Sequence, residues 1–213
     1  MTNQQPPAYA IHGIFPTPVY VIKRDSNLTP KEETEIRKIV KEGMYKNTGN
    51  STSNNSYIFN DKLKNIKQFC EQQLKIYVRE VINPKKELDF YITQSWLNIT
   101  KPGEWHHSHF HPNSIISGVF YISTEEDDKI TFGDPNTKLK EMIQLEQNEY
   151  NVWNSATWFF HVNNSKLILF PSWLDHKVDT NGKATTNRIS LSFNTFVKGT
   201  LGIRDELTEL ILK

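Results

Sequence analysis

His106-His107-Ser108-His109-Phe110-His111-Pro112 leads, one residue later, into Ser114-Ile115-Ile116-Ser117-Gly118-Val119-Phe120-Tyr121-Ile122-Ser123. The second stretch is rich in β-branched and aromatic residues and reads as a strand. The first contains four of the chain's seven histidines. In an extended backbone alternate side chains share a face, so His107, His109 and His111 should point one way and His106 and Phe110 the other. Pro112 biases His111 toward an extended conformation. Imidazoles two residues apart on one face can reach one ion, and neutral imidazole binds Fe, Zn, Cu and Ni. The competing reading is a polar surface run. His109 belongs to either pair of alternate histidines, which makes it the firmest ligand. Whether His111 or His107 joins it is open on these residues alone.

Strand signals continue on either side. Asp89–Thr100, Lys129–Phe132, Lys166–Phe170 and Arg188–Val197 all read as strands, and Leu139–Phe160 should hold one or two more. Short strands separated by turn signals suggest a sandwich or barrel. Upstream the pattern differs. Ile14–Lys23 carries two prolines and suits only an edge strand. Thr29 and Pro30 open a helix that should end near Gly43. Gly43–Tyr57 is rich in Asn, Ser and Thr and reads as a mobile loop. Asp61 should cap a second helix, whose apolar face is Leu63, Ile66, Phe69, Cys70, Leu74, Tyr77 and Val81. Asp205–Lys213 suggests a short terminal helix. The organisation is therefore a single domain over 1–213. The N-terminal strand and helices occupy 1–88, the β core 89–198 and the tail 199–213.

Composition excludes several classes. Among 213 residues, 25 are basic and 24 acidic, for a formal charge of +1. No net field draws the chain to nucleic acid or an anionic membrane. Cys70 is the only cysteine, so neither an intrachain disulfide nor a thiolate metal site is available. Its place on an apolar helix face argues for packing. Met1–Ala10 lacks a basic start followed by an apolar stretch, and no apolar run is long enough for a bilayer. A cytoplasmic protein is the expectation.

A metal site needs a third protein ligand. His176 is the best candidate, because Phe170-Pro171-Ser172-Trp173-Leu174-Asp175-His176 ends an apolar strand in a turn. His161 is a rival within a strand, and His12 is given no role. Arg188 and Ser190 open the last strand and share a face. A guanidinium clamps a carboxylate with two parallel hydrogen bonds, and a nearby hydroxyl adds a third, so the pair suits an anionic cosubstrate. Asn98 and Tyr121, on other strands, are weaker candidates for the same pocket, with ordinary strand packing as the competing reading.

The ordered set His109-x-His111-Pro112, Ser117–Tyr121, Phe132-x-Asp134-Pro135, Phe170-Pro171-Ser172-Trp173-Leu174-x-His176-x-Val178 and Arg188-Ile189-Ser190-x-Ser192-Phe193-Asn194 resembles a 2-oxoglutarate/Fe(II)-dependent oxygenase family of bacteria and tailed phages, related to prolyl hydroxylases. The resemblance spans about residues 90–197. It implies a mainly β fold with flanking helices, a double-stranded β-helix or cupin-like jelly roll. It further implies Fe(II) in the barrel mouth, 2-oxoglutarate chelating the iron, and Arg188 with Ser190 on its far carboxylate. Oxidative decarboxylation to succinate and carbon dioxide would drive hydroxylation of an unidentified substrate, a prolyl residue or a small molecule. The usual triad of such enzymes is His-x-Asp/Glu and a later His. Here the matching stretch is His109-Phe110-His111, which leaves three assignments open: all three histidines, His107 with His109, or Asp175 supplying the acid. An alternative is a cupin-like metal protein that does not use 2-oxoglutarate. Oligomeric state stays open, a homodimer included.

Overall fold

The computed structural model describes residues 9–137, 142 and 145–213. Its strands are β1 (Tyr20–Lys23), β2 (Met44–Lys46), β3 (Ser51–Ser53), β4 (Asp89–Thr100), β5 (His106–His109), β6 (Ile116–Ser123), β7 (Lys129–Gly133), β8 (Thr157–His161), β9 (Lys166–Pro171), β10 (His176–Val178), β11 (Arg188–Leu201) and β12 (Leu210–Leu212). Two α-helices, α1 (Pro30–Glu42) and α2 (Lys64–Tyr77), precede most of the sheet. The large sheet runs β1-β9-β6-β11-β4-β3-β2, with β12 also on β11, and the small one runs β5-β10-β7-β8. All paired strands of both sheets are antiparallel. Two antiparallel sheets facing each other, with helices behind the larger, form the jelly roll expected from the sequence.

Side-chain alternation on the central strands separates two cores. Phe120 and Ile122 of β6, with Leu167 and Leu169 of β9, join Ile39, Ile66, Cys70 and Leu74 of the helices. Their neighbours Val119, Tyr121, Ile168 and Phe170 turn the other way, onto Ile130, Phe132 and Leu174 of the barrel interior. Strands buried on both faces read as continuous apolar runs, which is why β6 and β9 were conspicuous. Cys70 is fully buried, and burial pushes its thiol pKa up.

Helix α1 begins where the sequence indicates. Thr29 caps it, and Glu32 closes a capping box by accepting from the Thr29 backbone N–H at 2.7 Å. Glu32 also accepts two hydrogen bonds from the buried Arg24 guanidinium, at 2.8 and 3.1 Å. Burial alone would raise the Glu32 pKa, but the Arg24 and Thr29 hydrogen bonds outweigh it and hold the carboxyl below its ordinary value.

Other boundaries differ from expectation. Gly43–Tyr57 is not a loose loop. It holds the β2–β3 hairpin, and β3 pairs with β4 through Ser51 and Thr52. Long-range pairing, invisible to local propensity, overrides its polar composition. Helix α2 is not capped by Asp61, since Leu63 occupies the N-cap position in a left-handed conformation. Val81 leaves the apolar face because the chain winds into a wider π-helical turn over Val78–Ile82, which leaves Val81 exposed. Only Tyr20–Lys23 of the Ile14–Lys23 stretch is strand, at the sheet edge, beyond both prolines. The tail is a strand, β12, and not a helix. Within Leu139–Phe160 the structure has the first four residues of β8, while 139–141 and 143–144 lie outside the described residues, as do 1–8 of the Met1–Ala10 reading.

Gly118 sits where the chain tolerates no side chain, since a Cβ there would overlap the Phe193 ring across the β6–β11 pair. Gly118→Ala should destabilise the fold by about 1–3 kcal/mol, read from chemical unfolding, and Phe193→Leu should recover part of that loss. Glu32→Gln should cost about 3 kcal/mol by stranding the buried Arg24 charge. Because the folded Glu32 pKa is lowered, its contribution is complete above the ordinary carboxylate range and lost as pH falls through the folded value. The variant should therefore lose stability less steeply in acid than the parent chain.

Candidate metal centre

The small sheet places the histidines. His176 pairs directly with His109 across β10 and β5, while Val178 pairs with His106. Three residues of β10 thus oppose four of β5, which is a β-bulge in β5. The extra residue breaks the alternation expected for this stretch. His106 does not point away from His109. Their rings lie 4.5 Å apart, centre to centre, and both line the cavity between the sheets.

One nitrogen each from His109, His111 and His176 lies within 4.8 Å of the others. The His109 and His176 rings are 4.3 Å apart, and His111 stands 5.0 and 5.1 Å from them. His109 and His176 each make the same bond to the residue two positions earlier: His109 Nδ1 donates to the His107 carbonyl at 2.8 Å, and His176 Nδ1 to the Leu174 carbonyl at 3.0 Å. A carbonyl can only accept, so Nδ1 carries the proton and Nε2 presents its lone pair. This bond fixes tautomer and ring orientation, as in the outer shell of metal-bound histidines.

The rings are held neutral. Burial, reinforced by His109, pushes His111 down to about 4. Burial likewise lowers His109, against the opposing pull of the His107 carbonyl, and lowers His176 well below the ordinary imidazole value. His106 is pushed down to about 3 by burial and then by His109 and His107. Neutral imidazole is the metal-binding form. Three convergent lone pairs without a competing proton fit a divalent ion such as Fe(II).

The cavity is also lined by Arg188, Ser190, Asn98 and Tyr121, so the structure gathers every cosubstrate candidate read from the sequence. Arg188 is 8% exposed. Its Nη1 donates to the Lys129 carbonyl at 3.1 Å, and its guanidinium lies 5.8 Å from the centre of the Tyr121 ring. Among the described residues it has no ion pair. A buried guanidinium without a counter-charge is costly, and an anionic guest in the cavity would offset that cost. Asn98 is held by Thr52 Oγ1, which donates to it at 3.0 Å, and by its own donation to Ser192 Oγ at 3.0 Å. Burial raises the Tyr121 phenol to about 12, so it stays a neutral hydroxyl.

The remaining histidine-site candidates separate. His107 does not line the cavity and groups instead with His106 and His109. Asp175 is exposed and, among the described residues, belongs to neither histidine group. His161 lies on β8 outside both, and His12 is exposed in the N-terminal segment.

Among the cavity residues that escaped sequence reasoning, His106 and Asn50 stand out. His106 was assigned to the wrong face, because nothing in the sequence announces the bulge. Asn50 sits in the turn of the β2–β3 hairpin, and only the pairing of β3 with β4 carries it to the cavity. It is 2% exposed, and neither its Oδ1 nor its Nδ2 has a hydrogen-bond partner.

Fold and site together define a double-stranded β-helix with a histidine-lined pocket. Residues 94–194, which contain the three histidines, Arg188 and Ser190, match the family model described as "Putative 2OG-Fe(II) oxygenase". The β core of this chain is thus similar to that 2-oxoglutarate/Fe(II) oxygenase family. Solved structures share the fold at low identity. A Pseudomonas putida prolyl-4-hydroxylase aligns with a TM-score of 0.53 at 13% identity, covering 84% of this chain and 92% of that one. A Trichoplax adhaerens prolyl hydroxylase, in complex with a hypoxia inducible factor peptide fragment, aligns at 0.57 and 10%, covering 84% and 83%. HygX from Streptomyces hygroscopicus, with nickel and 2-oxoglutarate bound, aligns at 0.56 and 11%, covering 84% and 82%. A comparison with curated proteins yields no match.

An unpaired buried amide is a cost to the fold. Asn50→Ala should therefore leave the melting temperature unchanged or raised, while weakening whatever polar guest the cavity binds. Thermal unfolding with and without 2-oxoglutarate checks both halves.

Proposed function

We propose that this chain is a 2-oxoglutarate- and Fe(II)-dependent oxygenase in which His109, His111 and His176 hold the iron and Arg188 with Ser190 holds the far carboxylate of 2-oxoglutarate. The observation that carries the reading is the pairing, in one cavity, of three neutral imidazoles with a buried arginine that lacks a counter-charge. When bound, the iron and keto acid supply oxidative decarboxylation, so that substrate, 2-oxoglutarate and oxygen become hydroxylated substrate, succinate and carbon dioxide.

The chain's own residues set the conditions for this chemistry. Three neutral ligands leave the full double charge of the ion uncompensated, where a carboxylate ligand would cancel half of it. A dianionic keto acid would meet that charge at one end and Arg188, which lines the same cavity, at the other. Ser190 adds a hydroxyl on the same strand face, and the neutral Tyr121 hydroxyl and Asn98 complete the polar wall. With three protein ligands, an ion held there would keep positions free for a bidentate keto acid and oxygen. Val119, Ile130 and Val178 in the cavity wall keep water scarce around the reacting groups.

The substrate class follows from the surface around the ligands. Trp105, Phe110 and Trp173, on the segments that carry the histidines, are all largely exposed. Such faces favour a guest with a ring or apolar portion, and a prolyl residue or a cyclic small molecule fits that description. The prolyl hydroxylases among the structural relatives lend the former some weight. The whole chain reads as one domain, and its one cysteine, buried and unpaired, suits a reducing cytoplasm. None of the helices among the described residues is long and apolar enough to cross a membrane. The exposed edge strand β8, with Trp158 and Phe159 outward, is the surface on which a homodimer would form.

Arg188→Ala should raise the 2-oxoglutarate concentration needed for half-maximal succinate formation by roughly 100-fold, the loss of a charge-assisted clamp. Fe(II) affinity should hold. Arg188→Lys, which keeps the charge without the fork, should fall between. Unchanged 2-oxoglutarate dependence in Arg188→Ala would contradict the cosubstrate reading and favour a cupin-like enzyme that works without a keto acid.

A further inference from the structure

The bulge in β5 does more than bring His106 to the cavity. One nitrogen each from His106, His107 and His109 also lies within 4.8 Å of the others. Ring centres are 5.1 Å apart for His106 and His107, 4.5 Å for His106 and His109, and 4.9 Å for His107 and His109. His107 Nδ1 is buried and has no hydrogen-bond partner, an unmet demand that a metal would satisfy. His106 Nε2 is engaged only by Asn47 Nδ2 at 3.5 Å, the outer limit of a hydrogen bond, which an ion would displace.

His109 is common to both groups, yet it has a single lone pair to give. Its Nδ1–H is spent on the His107 carbonyl. An ion on one group therefore removes His109 from the other.

We propose that His106, His107 and His109 form a second divalent-metal site, mutually exclusive with the His109–His111–His176 site. This inference rests on the assignment of iron to the latter triad. An all-imidazole site suits Zn(II), Ni(II) and Cu(II), and these ions outrank Fe(II) in affinity for nitrogen ligands. Occupation of the second site by Zn(II) takes His109 out of the catalytic set, so the device acts as an inhibitory site for metals other than iron.

The test is Zn(II) titration of the metal-free full chain by calorimetry, beside formation of the visible charge-transfer band of the Fe(II)–2-oxoglutarate chelate without oxygen. The parent chain should bind one Zn(II), not two. His176→Ala should lose the Fe(II) band and still bind one Zn(II). His176→Ala with His107→Ala should bind Zn(II) at least about 100-fold more weakly, and His109→Ala should lose both signals. His111→Ala, which breaks the catalytic triad from a less buried position, should behave as His176→Ala does and serves if that variant does not fold. Loss of Zn(II) binding in both His176→Ala and His111→Ala would overturn the second site and leave the iron assignment standing. Two Zn(II) per parent chain would overturn the mutual exclusion. An intact Fe(II) band in His176→Ala would instead overturn the iron assignment itself.

Discussion

The register of β10 against β5 is the constraint on which the centre depends. Pairing His176 with His109 joins two segments far apart in sequence and sets their rings 4.3 Å apart. A slip of one residue would send either side chain to the opposite face. What holds the register is the apolar packing beneath it. Phe170 and Phe132 lie 4.6 and 6.2 Å from the His176 ring, and Phe132 is its direct neighbour on β7. The histidine cluster is thus one wall of the barrel core, and its two backbone-bonded imidazoles are held in orientation by the fold alone.

That preorganisation carries a cost. Three buried neutral imidazoles share one cavity with an arginine and an asparagine that have, among the described residues, no counter-charge and no side-chain hydrogen-bond partner respectively. Each is a group that folding would ordinarily satisfy. Their convergence reads as a site that stores stability for binding, since a divalent ion and a dianionic keto acid satisfy several of these demands together. The absence of a carboxylate ligand fits the same logic, because it leaves more positive charge for the keto acid to meet.

Much of this was legible in the sequence where periodicity and chemistry coincide. The strands from Asp89 onward alternate or run apolar, the Thr29–Glu32 cap is local, and His109, His176 and Arg188 stand beside strong turn or strand signals. The failures share a different cause. Gly43–Tyr57 looked like loop because its strands are three residues long and polar, stabilised only by pairing with β4. Asn50 entered the cavity by the same route. His106 was misplaced because a β-bulge leaves no signature in composition. Leu63 starts α2 from a left-handed conformation that Asp61, two residues earlier, gave no reason to expect. Local rules located the elements, and non-local pairing decided which residues meet.

The most direct test of the central claim is a crystal structure of the chain with Mn(II) in place of Fe(II) and with 2-oxoglutarate. The account predicts the ion on His109, His111 and His176, with the far carboxylate of 2-oxoglutarate against Arg188 and Ser190. An ion held without His176, or a keto acid that leaves Arg188 untouched, would contradict it.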